Sequence, residues 1–384
     1  MVNISRVRAP RALVVSALAL ASCSRPNMSQ PPSEEILVGE FASMTGTTAT
    51  FGQSTHNGVL MATAETNAEG GIDGRKIRIL LEDDQSKPEE AATVVTKLLT
   101  RSKVVALIGE ASSSRSLAAA PIAQSSGIPM VSPSSTNTQV TAVGDYIFRV
   151  CFIDPFQGAV MARFAASTLK VQKVAILYDL RNDYSVGLRQ VFTATFKERG
   201  GTIVGEQSYS EGDSDFRAQL TQLKSVQPEA IYVPGYYTEV GIIARQAREL
   251  GITAPLLGGD GWDSPKLVEI GGKAIEGSYL SNHYSVDDPS PRIRQFVQAY
   301  RARYDAVPDS LSALGYDAAR LVFDAIRRAG STDGAKIRDA LAATRDFQGV
   351  TGRITIDKDR NPVKPAVILR VQDGAFSWVE TVEP

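Results

Sequence analysis

Two short polar loops carry hydroxyl groups where apolar segments of the sequence end. The loop Glu110-Ala-Ser-Ser-Ser-Arg115 follows the apolar run Val104–Gly109, and Ser132-Pro-Ser-Ser-Thr-Asn137 follows the run Ile128–Val131. Hydroxyl groups, together with free backbone N–H groups at the start of a helix, can bind an anion such as a carboxylate. The alternative is that these residues only cap a helix or form turns.

Two later loops offer the opposite chemistry. The loop Pro234-Gly-Tyr-Tyr237 follows Ala230–Val233, and Gly258-Gly-Asp-Gly-Trp262 follows Pro255–Leu257. A carboxylate placed among glycines permits close approach of the backbone and can bind a cation. The first two loops therefore offer donors for an anion, and the later two offer an anion and aromatic rings for a cation. Together they complement a zwitterion.

The elements that must position these loops alternate between apolar strands and helices. This alternation runs from residue 36 to residue 258 and indicates βαβ units with parallel sheets. Ligands of such sheets bind beyond the carboxyl ends of the strands, where all four loops fall. The run is too long for one compact sheet, and its periodicity is weakest near Ile153–Pro155. We therefore predict two α/β lobes, followed by further helices and a tail of short strands.

Composition excludes several classes of function. The chain has 384 residues, which favours two domains, and its 41 basic and 42 acidic residues give no electrostatic case for binding nucleic acid. It has two His and two Cys, with no HExxH motif and no Cys/His cluster, so we expect no metal site. No P-loop, GxSxG or GxGxxG motif is present, which argues against an enzyme and against a cofactor. We expect Cys151 to be a buried, inert thiol.

The N-terminus has the features of an export signal. Three Arg residues precede the apolar run Ala12–Ser22, which is too short to span a membrane. The sequence Leu20-Ala-Ser-Cys23 resembles the bacterial lipobox, which implies that residues 1–22 are a signal peptide and that Cys23 is lipidated. Residues 23–35 are polar and rich in proline, as expected of a tether. The alternative is an ordinary secretory signal with an incidental cysteine.

Blocks along nearly the whole mature chain resemble the leucine/isoleucine/valine-binding protein family, the extracytoplasmic solute-binding components of ABC importers. Each block is weak alone, but their order and spacing are specific. The matching blocks are Met44-Thr-Gly-Thr47 with Phe51-Gly52, Asn67–Lys76, Glu82–Asp84, Ile108-Gly109 with Ser112–Ser114, Ile128–Pro133 with Thr136-Asn137, Phe148-Arg149, Gln157-Gly158, Gly235–Tyr237, Gly258–Trp262 and Ala313–Ala318.

This resemblance implies the type I periplasmic binding protein fold. That fold has two Rossmann-like α/β lobes with parallel-rich sheets flanked by helices, joined by three crossovers, with the ligand cleft between the lobes. On this basis we assign residues 36–153 and 283–346 to a first lobe, and residues 154–282 and 347–384 to a second lobe.

The resemblance also implies roles for residues of the first lobe. Ser113 and Thr136 match the two hydroxyl residues that bind a ligand carboxylate, with the family's 23-residue spacing. Ser134 falls where a backbone carbonyl meets the ligand ammonium group. Phe51 matches an aromatic residue that packs on the ligand side chain. The family often has another aromatic residue near Leu311, and this chain has none there.

Three residues of the second lobe complete the implied site. Tyr236 and Asp260 match the family's aromatic residue and acid, with their 24-residue separation, although the acid is often Glu in amino-acid binders. Tyr184 matches a tyrosine of the cleft. Arg115 and His283 could also lie near the cleft, but we favour an exposed helix face for Arg115 and a strand end for His283.

The sequence thus predicts a lipid-anchored solute-binding protein in the periplasm or on the outer face of the cytoplasmic membrane. As the resemblance implies, it would bind a small amino acid, branched-chain or related, and deliver it to an ABC permease and its ATPase. We expect a monomer that performs no chemistry on its ligand. One alternative is a ligand-sensing receptor module for an amide or a small carboxylate, and a less favoured one is an α/β hydrolase.

Overall fold

The computed structural model describes residues 35–384, and the proposed signal peptide, Cys23 and most of the tether lie outside the described residues. The first sheet has five parallel strands, β1 to β5, in the order β2-β1-β3-β4-β5. These strands are Ile36–Ala42, Ile77–Asp83, Ala106–Ile108, Met130–Ser132 and Ile147–Arg149. The helices between them, α1 to α4, are Ala49–Ala68, Pro88–Thr100, Ser113–Ser126 and Gln139–Ala142.

The chain then enters a second sheet. Strands β6 to β10 are Lys173–Asp179, Thr202–Tyr209, Ala230–Tyr232, Leu256–Gly258 and Tyr279–Asn282. Helices α5 to α9 are Asp154–Arg163, Asp183–Glu198, Arg217–Ser225, Tyr237–Glu249 and Pro265–Gly271. A π-helical turn over Phe164–Thr168 extends α5, and short 3-10 turns cover Asp260–Trp262 and Gly272–Ile275.

The last part of the chain returns to each sheet in turn. Helices α10 to α12 are Pro291–Tyr304, Ser310–Ala329 and Gly334–Ala342, and strands β11 to β14 are Phe347–Gly349, Gly352–Ile354, Ala366–Gln372 and Ala375–Val382. Helix α11 packs along α1 beside the first sheet. Strands β13 and β14 complete the second sheet, whose order is β14-β13-β10-β9-β8-β6-β7, and they pair antiparallel where the other strands of that sheet pair parallel.

Each sheet is covered by apolar side chains on both faces, as buried parallel sheets require. The expected α/β class, with parallel-rich sheets flanked by helices, is confirmed. The four apolar runs named above, Val104–Gly109, Ile128–Val131, Ala230–Val233 and Pro255–Leu257, overlap β3, β4, β8 and β9. The sequence missed α4, α9, β10 and β11, which are short or, like β10, contain polar residues.

The hairpin of β11 and β12 packs on the core of the first sheet. Ile354 and Ile356 lie in the same apolar cluster as Val38 and Ile108 of the first sheet. The chain therefore rejoins the second sheet at β13. We had predicted this return at Phe347, about twenty residues earlier. We call the five-stranded sheet, with the elements packed on it, the first lobe. We call the seven-stranded sheet, with its helices, the second lobe.

Within residues 35–384, none of the helices combines the length and apolarity needed to cross a membrane. Cys151 is fully buried, and burial raises the pKa of its thiol to about 12. It therefore has the inert character expected of it.

Candidate functional site

A small cavity with an empty volume of about 230 Å³ lies between the two lobes. Its walls come from loops and first helical turns at the carboxyl ends of the strands, where the sequence placed the site. Five of the seven predicted ligand-binding residues line it. The lining residues are Phe51, Ala111, Ser134, Tyr184, Tyr236, Asp260, Gly261 and Leu311.

The carboxylate of Asp260 is the acidic group of this cavity. Asp260 begins the 3-10 turn after β9 and is 6% exposed. The Tyr184 hydroxyl donates to Oδ1 at 2.9 Å, and Nε2 of His283 lies 2.8 Å from Oδ2. The backbone N–H of Gly261 donates in turn to the Tyr184 hydroxyl at 3.0 Å. The carboxylate is thus held from two sides while its residue lines the cavity.

Glycines around Asp260 allow this close packing. A Cβ on Gly259 would lie 2.5 Å from the Tyr184 hydroxyl, and a Cβ on Gly261 would lie 2.8 Å from the backbone oxygen of Gly235 and from the Tyr236 ring. Neither position can hold a larger residue without displacing its neighbours. The glycines predicted to permit close approach at this strand end therefore do so.

The two hydroxyl-bearing loops of the first lobe lie together, as predicted. The Ser113 hydroxyl, in the first turn of α3, accepts a hydrogen bond from the backbone N–H of Asn137 at 3.1 Å. The Ser134 hydroxyl donates to the Ala111 carbonyl at 3.2 Å. Thr136 is fully buried, and its hydroxyl accepts from the Gln157 amide at 3.3 Å. Ser113 and Thr136 are not among the residues that line the cavity.

A buried ion pair holds the loop that carries Ser113. Nε of Arg115 donates to Glu110 at 3.1 Å, and the other guanidinium nitrogens donate to the Ser86 carbonyl and the Thr48 hydroxyl. Burial alone lowers the pKa of Arg115, but neighbouring carboxylates, chiefly Glu110, raise it further than burial lowers it. Arg115 is 1% exposed, so the exposed helix face expected for it is wrong. It organises first-lobe loops instead.

Direct contacts join the lobes around the cavity. The Tyr236 hydroxyl donates to the Ser112 hydroxyl at 2.9 Å, and the Ser114 hydroxyl donates to the Asp183 carboxylate at 2.8 Å. The Phe51 ring meets the Tyr236 ring edge to face, with centroids 5.4 Å apart. Phe51 and Leu311 even belong to the apolar cluster of the second lobe. The cleft in this structure is closed.

Sequence reasoning undervalued two residues of the site. His283 is a strand-end residue, as expected, but it is buried and reaches Asp260. Leu311 stands in the first turn of α11 and lines the cavity where the family often has an aromatic residue. The available signal for His283 was its place at the residue where the resemblance returns the chain to the first lobe. Only the fold shows that this crossover passes beside the turn after β9.

A larger groove lies elsewhere between the lobes, with an empty volume of about 1130 Å³. Its walls are mostly apolar, including Tyr284, Val307, Leu369 and Phe376. None of the seven predicted residues lines it, and the part of the chain that the structure describes places no cationic side chain in its walls to receive a carboxylate. The smaller cavity, with Asp260 and the hydroxyl-bearing loops, remains the candidate ligand site.

Comparison with known proteins covers nearly all of the described chain. A sequence model of the family described as "Periplasmic binding protein" matches residues 35–375. The chain is 29% identical over 349 residues to Leu/Ile/Val-binding protein homolog 3 of Brucella melitensis, which covers 90% of this chain and 94% of that protein.

Two solved structures are similar in both sequence and fold. The leucine binding protein LivK from Thermotoga maritima is 41% identical with a TM-score of 0.88, covering 91% of this chain and 99% of that one. The branched-chain amino acid transporter substrate binding protein LivJ from Streptococcus pneumoniae, solved in complex with isoleucine, is 37% identical with a TM-score of 0.87. The match covers 91% of this chain and 100% of that one.

Proposed function

Since the chain belongs to the periplasmic binding protein family, with the type I fold of leucine-binding proteins, we propose that it is the extracytoplasmic receptor of an ABC importer for a small amino acid, branched-chain or related. It is a solute-binding protein and not an enzyme. In this role the lobes close on the ligand, and the closed form delivers it to the permease.

The observation that carries this proposal is the pairing of charge and apolar surface in the closed cavity. The Asp260 carboxylate offers a negative partner for an ammonium group, while Phe51 and Leu311 offer apolar surface for a side chain. The leucine-binding and isoleucine-bound relatives support an aliphatic ligand of this kind.

We propose that the two lobes divide the ligand between them. Ser113 and Thr136 would bind the carboxylate through hydroxyl and backbone N–H groups, with the Ser134 carbonyl near the ammonium group. Because these groups already pair with Asn137, Gln157 and other neighbours in this closed form, the ligand would replace some of those bonds. Asp260 would bind the ammonium group from the other lobe.

We propose further that Cys23 carries a lipid anchor after cleavage at Ser22, with residues 23–35 as a tether. The sequence Leu20-Ala-Ser-Cys23 supports this, and each buried acyl methylene contributes about 0.8 kcal/mol of membrane affinity. Mass spectrometry of the native N-terminus tests it. An unmodified Cys23, or cleavage elsewhere, would contradict the anchor and leave the binding proposal intact.

A calorimetric and thermal-shift panel tests the ligand class. It would compare L-leucine, L-isoleucine, L-valine and L-alanine with 4-methylpentanoate, leucinamide and benzoate. A true ligand at about a hundredfold excess over its Kd should raise the free energy of unfolding by about 2.7 kcal/mol. We expect this for one or more of the amino acids. Stabilisation by the carboxylates or the amide alone would favour the receptor-module alternative and contradict the amino-acid proposal.

A further inference from the structure

The imidazole of His283 is enclosed between the cavity acid and the first crossover. Its Nε2 lies 2.8 Å from Oδ2 of Asp260, and its side chain is 1% exposed. Its ring stacks on Phe152, with centroids 3.8 Å apart and planes at 22°. Phe152 lies between β5 and α5, and His283 directly follows β10. The orientation of Asp260 is therefore coupled to the packing of two crossovers between the lobes.

The hydrogen-bond partners of His283 define its tautomer. Asp260 can only accept at Oδ2 when ionised, so the proton lies on Nε2. The other ring nitrogen, Nδ1, is buried and has no hydrogen-bond partner among residues 35–384. A buried N–H without an acceptor is costly, so Nδ1 carries no proton. The ring is therefore the neutral Nε2–H form.

The electrostatics around the ring agree with this form. Burial has the largest effect on the pKa of His283, and this pKa stays below its ordinary value although the hydrogen bond and charge of Asp260 raise it. The nearby Lys364 lowers this pKa further, and Asp263 opposes that effect. A protonated imidazole at this position would neutralise Asp260, whereas a neutral donor leaves the carboxylate its negative charge.

We propose that His283 is a positioning residue for ligand ammonium recognition, a neutral donor that fixes Oδ2 of Asp260 without cancelling the charge that the ammonium group needs. This rests on the proposed function, since it takes Asp260 as the ammonium partner. Tyr184 holds Oδ1 in the same way from the other side. Two neutral donors thus orient one charged acceptor toward the cavity.

The test compares two replacements of His283 in the intact mature chain. His283→Leu keeps much of the bulk and removes the donor, whereas His283→Gln retains an amide N–H that can donate to Asp260. His56→Gln is the matched control, because His56 also pairs with a buried carboxylate, Glu40, at 2.7 Å and does not line the cavity. Calorimetry would measure the Kd of L-leucine and of its deamino analogue 4-methylpentanoate.

We expect His283→Leu to weaken L-leucine binding roughly ten- to a hundredfold, the range for a hydrogen bond to a charged group. Binding of 4-methylpentanoate, which has no ammonium group, should change by less than about threefold. His283→Gln should restore most of the preference for L-leucine, and His56→Gln should leave both values unchanged. A merely structural role would lower both affinities together. Equal losses for the two ligands, or no loss for L-leucine, would overturn the proposal.

A ligand-free measurement on the wild-type chain provides a second, independent test. The sequence has two histidines, so ¹H–¹⁵N correlation spectra of wild type and His56→Gln assign both rings. We expect the Nε2–H pattern for His283 at neutral pH, and a protonated or Nδ1–H ring would overturn the proposal. If the wild type prefers 4-methylpentanoate to L-leucine, the amino-acid function fails, and the spectra alone then decide whether His283 is the neutral donor to Asp260.

Discussion

Two histidine–carboxylate pairs of nearly equal length lie in different parts of the molecule. His56 on α1 is 2.7 Å from Glu40 on β1, and His283 is 2.8 Å from Asp260. The imidazole of His56 is 20% exposed, whereas that of His283 is 1% exposed. Burial lowers the pKa of both rings, but Glu40 raises the pKa of His56 above its ordinary value, while that of His283 stays below.

The difference follows from solvent access and from what each carboxylate faces. The partly exposed His56 ring is open to solvent, which supports its charged form, and its contact with the buried Glu40 joins α1 to the first sheet. His283 has no such support and remains a neutral donor. Within residues 35–384, one oxygen of Glu40 has no hydrogen-bond partner, whereas both oxygens of Asp260 are held beside a cavity. Similar geometry thus joins packed elements in one lobe and borders the cavity in the other.

The largest expected effect separates the two acids. Asp260→Ala should weaken binding of an α-amino acid by about 2–5 kcal/mol, roughly thirty-fold to several thousand-fold, because it removes one partner of a buried charge pair. Glu40→Gln should change affinity by less than about twofold, since Glu40 does not line the cavity. Isothermal calorimetry measures both. Unchanged affinity in Asp260→Ala would mean that the ligand is not held through an ammonium group.

A second pair of variants extends the comparison to tyrosines that donate to carboxylates. Tyr184 donates to Asp260 at 2.9 Å in the cleft, and Tyr316 donates to Glu65 at 2.6 Å in the first lobe. Removing the hydroxyl in Tyr184→Phe should weaken amino-acid binding by about 1.5–3 kcal/mol. Tyr316→Phe should affect stability and leave the Kd unchanged. If both variants bind as wild type does, the Tyr184 hydroxyl does not orient Asp260.

The two histidines should influence stability with opposite dependence on pH. The folded-state pKa values of His56 and Glu40 are raised above 6.5 and 4.5, so both contribute stability at low pH and lose it as pH rises. The pKa of His283 is lowered below 6.5, so its contribution is lost as pH falls below that value. The contributions of the two pairs to the free energy of unfolding should therefore change with pH in opposite directions.

Urea unfolding of three chains measures these slopes between about pH 5 and pH 8, the range around the ordinary histidine pKa. Relative to the double variant Glu40→Gln/His56→Gln, the wild type should lose stability as pH rises. Relative to His283→Gln, it should lose stability as pH falls. If both comparisons give the same dependence of stability on pH, the pKa values of the two histidines are not shifted in opposite directions.

The smallest expected effect is a change in tryptophan fluorescence at the turn that carries Asp260. Trp262, two residues after Asp260, is fully buried and donates to the Val233 carbonyl at 3.0 Å, whereas Trp378 is 51% exposed near the C-terminus. Lobe closure on a ligand should change the surroundings of Trp262. We expect Trp262→Phe to abolish most of the ligand-induced fluorescence change and Trp378→Phe to leave it. A saturating ligand that alters neither this signal nor the radius of gyration would contradict closure.

The amino-acid sequence was sufficient to predict the alternation of most strands and helices, although not α4, α9, β10 and β11. The hydrophobic pattern of the apolar run Lys173–Tyr178 is typical of a strand, and that of the amphipathic stretch Val186–Glu198 is typical of a helix. Each pattern depends only on neighbouring residues, so it can be recognised in the sequence. The loops that follow strands could be located for the same reason. The resemblance to the leucine/isoleucine/valine-binding family, rather than local periodicity, assigned Phe51, Ser134, Tyr184, Tyr236 and Asp260 to one site.

Tertiary structure alone decided which distant groups meet. No local pattern indicates that Leu311 of α11 closes the wall beside Phe51, or that Arg115 is buried against Glu110. His283 is the clearest case, because an isolated histidine after a polar strand has no periodic signal. Its role depends on a contact across 23 residues of chain and on the exclusion of water from one ring nitrogen. Burial and long-range contact set its charge, and both arise only when the crossovers pack together.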